Sequence, residues 1–190
     1  MDRFGPLAGL IGEWEGDQGL DVSYHHAEGA SGETPYREHI VFKPFGPVDN
    51  GDQHLYGLDY RMAAWRLGEE LPFHTEVGYW LWDGGDGQVL RCFVIPRGSV
   101  VLAGGTATAD ARRFTLSATR GDTAYGILAN PYLERRARTV RYEVTLEVGD
   151  ATFSYEEDSV LELAEIPGEY HHTDRNTLRR VAEFDLPPRD

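Results

Sequence analysis

One candidate site is the segment "PFHTEVGYW", in which His74 and Glu76 lie two residues apart. Side chains two residues apart on a strand point to the same face, so the imidazole and the carboxylate are expected to meet. A carboxylate inside a fold is costly unless a cation pairs with it, and Arg91 on the next strand is the expected partner. The three residues predict a polar pocket floor. A small-molecule enzyme with His74 as base and Glu76 as its orienting group is a third possible function, beside the two given below. The alternative is an ordinary hydrogen-bonded core histidine.

A second candidate is the adjacent pair His171 and His172 in "EYHHTDRNTLRR". Neighbouring residues of a strand point to opposite faces, so only one of the two can face a barrel interior. A neutral imidazole is a common metal ligand, and one histidine can hold a heme iron. The alternative is that both are polar residues at the start of a strand.

The remaining candidates are weaker. His25 and His26 have no third ligand at zinc-like spacing, so solvated side chains are expected. Glu156 and Glu157 are interpreted as a solvated outward pair. Cys92, the single cysteine, is flanked by apolar residues and is predicted to be a packing residue in a reducing compartment.

The elements that must position these side chains are strands. Strict alternation in "TVRYEVTLEV" predicts one buried and one wet face, as in antiparallel barrels. Closing the sheet would remove its open edges. We therefore predict an all-β fold, a closed antiparallel up-and-down barrel of about ten strands. The predicted strands are 36–45, 54–67, 72–83, 88–96, 99–108, 113–119, 124–130, 139–148, 151–163 and 171–184.

The ends of the chain give further expectations. "GPLAGLIG" predicts a short N-terminal helix, because Pro6 suits its first turn and Gly12 its end. The chain is expected to be a single domain over 1–190, with a core from about 6 to 181. The polar, Gly-rich segment 24–36 and the tail 185–190 are expected to be mobile.

Composition excludes several function classes. Of 190 residues, 18 are basic and 32 acidic, and the resulting charge of −14 disfavours nucleic acid and anionic membranes as partners. No segment has the roughly 18 uninterrupted apolar residues of a transmembrane helix. The N-terminus lacks the basic and apolar regions of a signal peptide, so a cytoplasmic protein is expected.

The segment "GEWEGDQG" resembles the G-x-W-x-G-x-G signature of the nitrobindins, a family of heme-binding β-barrels related to the C-terminal domain of THAP-type proteins. Gly12, Trp14 and Gly16 match, whereas Gln18 occupies the last glycine position and Gly19 follows one residue later. The alternative for these residues is a purely structural strand that closes the barrel.

A second segment, "PFHTEVGYW", is similar to the family's P-(L/M/F)-H-x-E-x-G-Y/F pattern. The resemblance extends over nearly the whole chain, from about residue 6 to 181. The matching residues of the pattern are Pro72, His74, Glu76, Gly78 and Tyr79.

The resemblance implies a ten-stranded barrel related to lipocalins and fatty-acid-binding proteins, whose pocket holds one ferric heme b through a proximal histidine. Characterised relatives bind nitric oxide and isomerise peroxynitrite to nitrate, so peroxynitrite isomerase activity is implied if heme is bound. Trp14, His74, Glu76 and Arg91 are the expected pocket residues beside the iron ligand.

The family's proximal histidine lies on the last strand, in a pattern resembling H-L-x-A-x-L-x-(K/R). Aligning its end with residues 178–180 puts Thr173 at the histidine position, so that His172 is one residue early and His171 two. A bulge between 171 and 178 would turn His172 inward. The resemblance therefore makes His172 or His171 the iron ligand, and places His74 on the distal side.

Two main functions remain open at this level. One is a heme protein that reacts with nitric oxide or peroxynitrite. The other is a heme-less, lipocalin-like carrier of a small apolar ligand, for which the aromatic content of 12% would serve equally well. The sequence does not determine the oligomeric state.

Overall fold

The computed structural model describes residues 3–188, which form a closed antiparallel barrel. Ten strands make the ring, in the order β1-β2-β3-β4-β5-β6-β7-β9-β10-β11, and a short β8 pairs with β6. The all-β barrel is confirmed. The strands are β1 (Gly12–His25), β2 (Ala30–Asn50), β3 (Gln53–Arg66), β4 (His74–Asp83), β5 (Gln88–Ile95), β6 (Ser99–Thr106), β7 (Arg113–Thr119), β8 (Ile127–Ala129), β9 (Ala137–Val148), β10 (Thr152–Leu163) and β11 (Glu169–Ala182).

One pairing in the ring is very short. β6 and β7 meet through a single residue pair, Gly104 and Ser117. The short β8 pairs with the other end of β6, from Ser99 to Val101. The segment 124–130 was predicted as a full strand and is extended over three residues only.

The predicted N-terminal helix is present, as a 3₁₀ helix over Gly5–Leu10. Its Leu7 and Leu10 are fully buried, so the helix closes one end of the barrel. A second helix, α1 (Pro131–Arg136), was not predicted. The Asn130 side chain caps it by accepting two backbone N–H groups. Neither helix in the described chain has the length and apolarity needed to cross a membrane.

The segment 24–36, which was expected to be mobile, is not a loop but mostly strand. β1 and β2 continue as a paired hairpin through this segment, and Gly29, with a φ of +66°, lies in the turn. A backbone ladder satisfies its own N–H and C=O groups, so polar side chains do not prevent a strand from forming. Residues 46–50 lie beyond the predicted strand 36–45 and belong to β2, with a register shift between Phe45 and Val48. Of the tail, residues 185–188 have no helix or strand, and residues 189–190 lie outside the described chain.

The barrel interior changes from polar to apolar along several strands. In β2 the inward side chains run from Tyr36 and Glu38 to Ile40 and Phe42. In the paired β1, Trp14 lies opposite Ile40, near the helix-closed end. The apolar core therefore fills the closed end, and polar side chains fill the other end.

Gly78 of the histidine-containing motif allows β4 and β5 to approach closely. A Cβ atom at this position would lie 1.9 Å from the Cys92 carbonyl oxygen and 2.8 Å from the Phe93 Cα atom. Both of these atoms belong to the backbone of β5, which cannot move away as a side chain can. The motif glycine is thus explained by packing.

We expect Gly78→Ala to lower the free energy of unfolding by about 1–3 kcal/mol, because the new methyl group overpacks the β4–β5 contact. Urea denaturation would measure the change. Gly85→Ala, in the exposed turn between the same strands, is the matched control. Its Cβ would meet only the flexible Asp83 carboxylate at 3.3 Å, so a change within about 0.5 kcal/mol is expected. Equal losses in both variants would contradict the packing explanation.

Candidate functional site

Arg91 of β5 is the centre of a buried ionic cluster. Its residue surface is 5% exposed. One terminal nitrogen donates to Glu76 at 2.6 Å and the other donates to Glu157 at 2.9 Å. Two carboxylates from different strands therefore share one guanidinium, which has the planar fork needed to bind both.

His74 extends the cluster toward the open end of the barrel. Its Nε2 atom lies 3.1 Å from Oε1 of Glu76. Burial alone would lower the pKa of His74, but the hydrogen bond to Glu76 and that carboxylate's charge raise it. Burial would likewise raise the pKa of Glu76, and the charge of Arg91 holds it below its usual range. The structure thus brings His74, Glu76 and Arg91 together.

Two buried tyrosines complete the hydrogen bonding of the carboxylates. Tyr60 donates to Oε2 of Glu76 at 2.9 Å, and Tyr142 donates to Oε2 of Glu157 at 2.7 Å. Arg91 also donates to both hydroxyl groups. The pKa of each tyrosine is raised well above its usual value, first by burial. Both therefore remain neutral donors.

The interpretation of Glu156 and Glu157 as an outward pair is wrong for Glu157. Its side chain is 19% exposed and bonds to Arg91, whereas Glu156 is exposed. Alternation on β10 sends neighbours to opposite faces, so one of the two had to point inward.

A second polar cluster links three strands, β2, β10 and β11, through a chain of oxygen atoms. Tyr155 lies 3.0 Å from Oε2 of Glu38 and 2.7 Å from the hydroxyl of Tyr36, which in turn contacts Oδ1 of Asp174. Asn176 donates its amide to the same Glu38 oxygen at 2.8 Å. We call Glu38, Tyr155, Tyr36 and Asp174 the acid–tyrosine chain.

Burial changes the acidity of both ends of the acid–tyrosine chain. It raises the pKa of Glu38 to about 7, against the hydrogen bonds from Asn176 and Tyr155. It raises the pKa of Asp174 to about 9. Carboxyl groups perturbed in this way, beside a cavity, mark a candidate functional site.

Only one of the paired histidines of β11 faces the interior. His172 shares a face with Asp174 and Asn176, and its Nε2 atom lies 2.5 Å from Oδ2 of the buried Asp21. Burial would raise the pKa of Asp21, but the His172 hydrogen bond and charge lower it. His171 points outward, with a 56% exposed side chain 2.7 Å from Asp158.

The expected bulge in β11 is absent from its pairing with β10. Residues 169–179 pair with β10 without a register shift, and His172 faces inward on this regular strand. The irregularity lies instead in β1, between Glu15 and Leu20, where two register shifts meet. Thr173, which aligned with the family histidine, is exposed on the outer face.

The glycine–tryptophan motif lies at the closed end. Trp14 is fully buried, donates its indole N–H to the Leu10 carbonyl at 2.7 Å, and packs edge-on against Phe153. A Cβ at Gly16 would lie 2.7 Å from the Thr177 carbonyl oxygen, and Gly12 has a φ of +134°. These residues therefore have structural roles and do not line the cavity.

The other polar candidates do not assemble into a site. Residues 3–188 contain no group of three or more His, Cys, Asp or Glu side chains arranged to hold a metal ion. His26 packs against the ring of Tyr24 at 5.2 Å. Burial raises the pKa of the Cys92 thiol, which fits a packing role.

A cavity of about 40 Å³ lies between the two polar clusters. Trp80 and Arg91 both line the cavity, and the indole N–H of Trp80 and the Nε–H of Arg91 have no hydrogen-bond partner within residues 3–188. The polar wall is formed by Glu38, His74, Glu76, Arg91, Glu157 and Asp174, and the apolar wall includes Ile40, Phe42, Met62, Val144, Leu146 and Phe153.

The acid–tyrosine chain was missed in the sequence. The sequence signal for it is a strand whose alternate positions are first polar and then apolar, so that one inward face changes character along the strand. In β2, Tyr36 and Glu38 precede Ile40, and in β11, Asp174 and Asn176 precede Leu178. This period-two pattern is visible in the sequence once the inward face is known.

The comparisons with known proteins agree with this fold. The model of the THAP4-like, heme-binding beta-barrel domain family matches residues 3–180. The chain belongs to this family. The crystal structure of Rv2717c from M. tuberculosis is similar, with a TM-score of 0.66 and 20% sequence identity, and covers 95% of this chain and 98% of its own. At that identity the similarity shows the fold alone. No curated protein matches the chain.

The family's heme does not fit the interior as these side chains pack. The cavity of about 40 Å³ has room for about three water molecules, which would occupy roughly 100 Å³ in liquid water. Sites for drug-sized ligands span roughly 300–1,000 Å³. His172 faces inward, as an iron ligand must, but its Nε2 atom is bonded to Asp21. Three members of the acid–tyrosine chain, Glu38, Tyr155 and Asp174, line the cavity, whereas His172 does not.

We expect Arg91→Met to lower the free energy of unfolding by about 3–5 kcal/mol at pH 7, because it leaves Glu76 and Glu157 buried without a cation. The loss should shrink as the pH falls toward 4, since protonated carboxyls no longer need Arg91. Urea denaturation across this pH range would measure both effects.

The matched control is Arg113→Met, which removes an ion pair with Glu147 whose two side chains are about two-thirds exposed. Exposed pairs contribute under about 1 kcal/mol, so a small loss is expected. A similar loss in both variants would contradict the central role of Arg91.

Proposed function

We propose that this member of the heme-binding barrel family binds a small polar molecule in the cavity between its two polar clusters. The observation that carries the proposal is that two residues lining the cavity, Trp80 and Arg91, each keep a buried N–H donor, Trp80 Nε1–H and Arg91 Nε–H, without a partner within residues 3–188. A buried donor without a partner costs about 1–3 kcal/mol. A ligand oxygen that accepts from these groups would recover this energy.

The size and charge of the cavity restrict the ligand class. Space for about three water molecules suits a molecule of roughly three or four non-hydrogen atoms. Four carboxyl groups line the cavity. Even if one of them is neutral, their three negative charges exceed the two positive charges of Arg91 and a protonated His74. A negative surplus in a water-poor site repels anions. The ligand should therefore be neutral or cationic, with an oxygen acceptor.

The second candidate is ferric heme b, held through His172, with reactivity toward nitric oxide or peroxynitrite and hence isomerase activity. Family membership and the inward position of His172 favour it. Heme would supply an iron centre that binds diatomic ligands. Binding of iron by the His172 Nε2 atom would require its hydrogen bond to Asp21 to open.

A comparison of acetamide with acetate tests the first proposal. Both probes have four non-hydrogen atoms, but only acetamide is neutral at pH 8. We expect millimolar acetamide to shift the indole N–H resonance of Trp80 in two-dimensional NMR, and acetate to leave it in place. The indole of Trp65, which stacks under Arg37 outside the cavity, is the internal control. Equal shifts at both indoles, a preference for acetate, or no shift at all would reject the proposal.

A hemin titration followed by absorbance tests the second candidate. Because the interior side chains leave no space for heme, we expect no Soret shift in the wild type at micromolar hemin. A Soret band that is lost in His172→Ala and kept in His171→Ala would establish heme binding and contradict the conclusion that heme does not fit the interior. Because His171 lies on the outer face, its variant is the matched control.

A further inference from the structure

We propose that two copies of this chain associate through one outer face of the barrel, formed by β4, β5, β6 and β8. The outward side chains of β9 show what a wet face looks like, since they include Arg141, Glu143 and Glu147. On the proposed face, nine outward side chains are apolar or nearly so, and none of the nine is charged. We call these residues the apolar face: Val77, Tyr79, Leu81, Leu90, Cys92, Val94, Val100, Leu102 and Leu128.

Cross-strand pairing makes the apolar face continuous. Val77 of β4 pairs with Val94 of β5, which pairs with Val100 of β6. Val100 pairs in turn with Leu128 of β8, so this row crosses four strands. Side chains directly opposite each other on neighbouring strands have Cβ atoms about 4.5–5.5 Å apart and touch. Two shorter rows lie beside the first, two and four residues further from it along the strands, and contain Tyr79, Cys92 and Leu102, and then Leu81 and Leu90.

The strands of this face have the pattern of strands that are covered on both sides. In β5, "QVLRCFVI", the inward Val89 and Phe93 are buried in the core. The outward Leu90, Cys92 and Val94 are no more polar than these two. A strand with water on one side normally alternates apolar and polar residues, whereas a run that is apolar on both faces is typical of a strand buried on both. The barrel core covers one side of β5, and a partner would cover the other.

The area of the apolar face fits an interface between two copies. Five of its members are well exposed in the single chain, at 43% for Val77 and Val94, 44% for Val100, 51% for Tyr79 and 74% for Leu128. These five present roughly 500 Å² of surface, which is within the size range of the largest, often functional, apolar patches of monomers. A standard interface buries about 800 Å² per partner and a homodimer interface is about 65% apolar, so each copy needs about 500 Å² of apolar surface.

Charge favours a second copy as the occupant of this face. With 18 basic and 32 acidic residues, two copies repel each other wherever their charged surfaces meet. The apolar face lets them approach without bringing charges together. A two-fold axis through the face places the same residues opposite each other, so the one surface serves both partners. The acidic surplus also disfavours an anionic lipid surface as the occupant.

Sedimentation equilibrium over micromolar protein concentrations tests the proposal with Val94→Glu. We expect the wild type to sediment as a dimer. The variant should raise the dimer dissociation constant by about tenfold or more, because dimerisation would bury a carboxylate without a cation. Val181→Glu is the matched control, since it makes the same change at a 40% exposed valine of β11, away from the apolar face. This variant should dimerise as the wild type does.

A wild type that stays monomeric would overturn the proposal, and the face would then belong to a different protein. A folded Val94→Glu variant that dimerises as tightly as Val181→Glu would overturn it as well, because the dimer would then use another surface. Circular dichroism establishes that both variants are folded. The apolar face lies outside the barrel, so these results are independent of ligand binding in the interior cavity.

Cys92 gives a second test that needs no substitution. It is the single cysteine of the chain and lies in the middle row of the apolar face. We expect its reaction with an uncharged thiol reagent to slow as the protein concentration rises through the dimer dissociation constant, because the partner covers the thiol. A rate that does not change while the protein dimerises would place the interface elsewhere and overturn the proposal, even if Val94→Glu does not fold.

Discussion

The interior of this barrel depends on the buried positive charge of Arg91. Its guanidinium is the cation bonded to Glu76 and Glu157, and it donates to the hydroxyls of Tyr60 and Tyr142. Four strands besides its own therefore contribute side chains around one charge. A buried ion pair adds little net stability over an apolar core, but removing one partner is costly. Arg91, its two carboxylate partners and the two tyrosines therefore depend on one another.

The two ends of the barrel have different physical roles. At the closed end the 3₁₀ helix, Trp14 and Phe153 pack as an apolar core, with Trp14 bonded to the helix backbone. At the other end the same strands carry tyrosines, carboxyls and histidines. Because strand alternation continues through both regions, the change in chemistry comes from residue type alone. The apolar core thus lies at one end of the barrel and the candidate site at the other.

The family and the pocket give different expectations for the ligand. Membership is shown by the match over residues 3–180, and the fold is that of a heme-binding family. The cavity nevertheless has space for about three water molecules and an acidic wall. Small changes of residue type inside a conserved barrel can replace one ligand class with another, because function belongs to the site and not to the fold.

The sequence by itself determined the barrel, most strand positions, the N-terminal helix, and the meeting of His74, Glu76 and Arg91, because alternation and short spacing are local properties. It could not determine which face of β11 points inward, since that depends on pairing with β10 and on the irregularity in β1. Consequently it left His171 and His172 as equal candidates and missed the acid–tyrosine chain. That chain joins oxygens from positions 36, 38, 155 and 174, which are adjacent only after the ring closes. Contacts between residues so distant in sequence are decided by the tertiary structure.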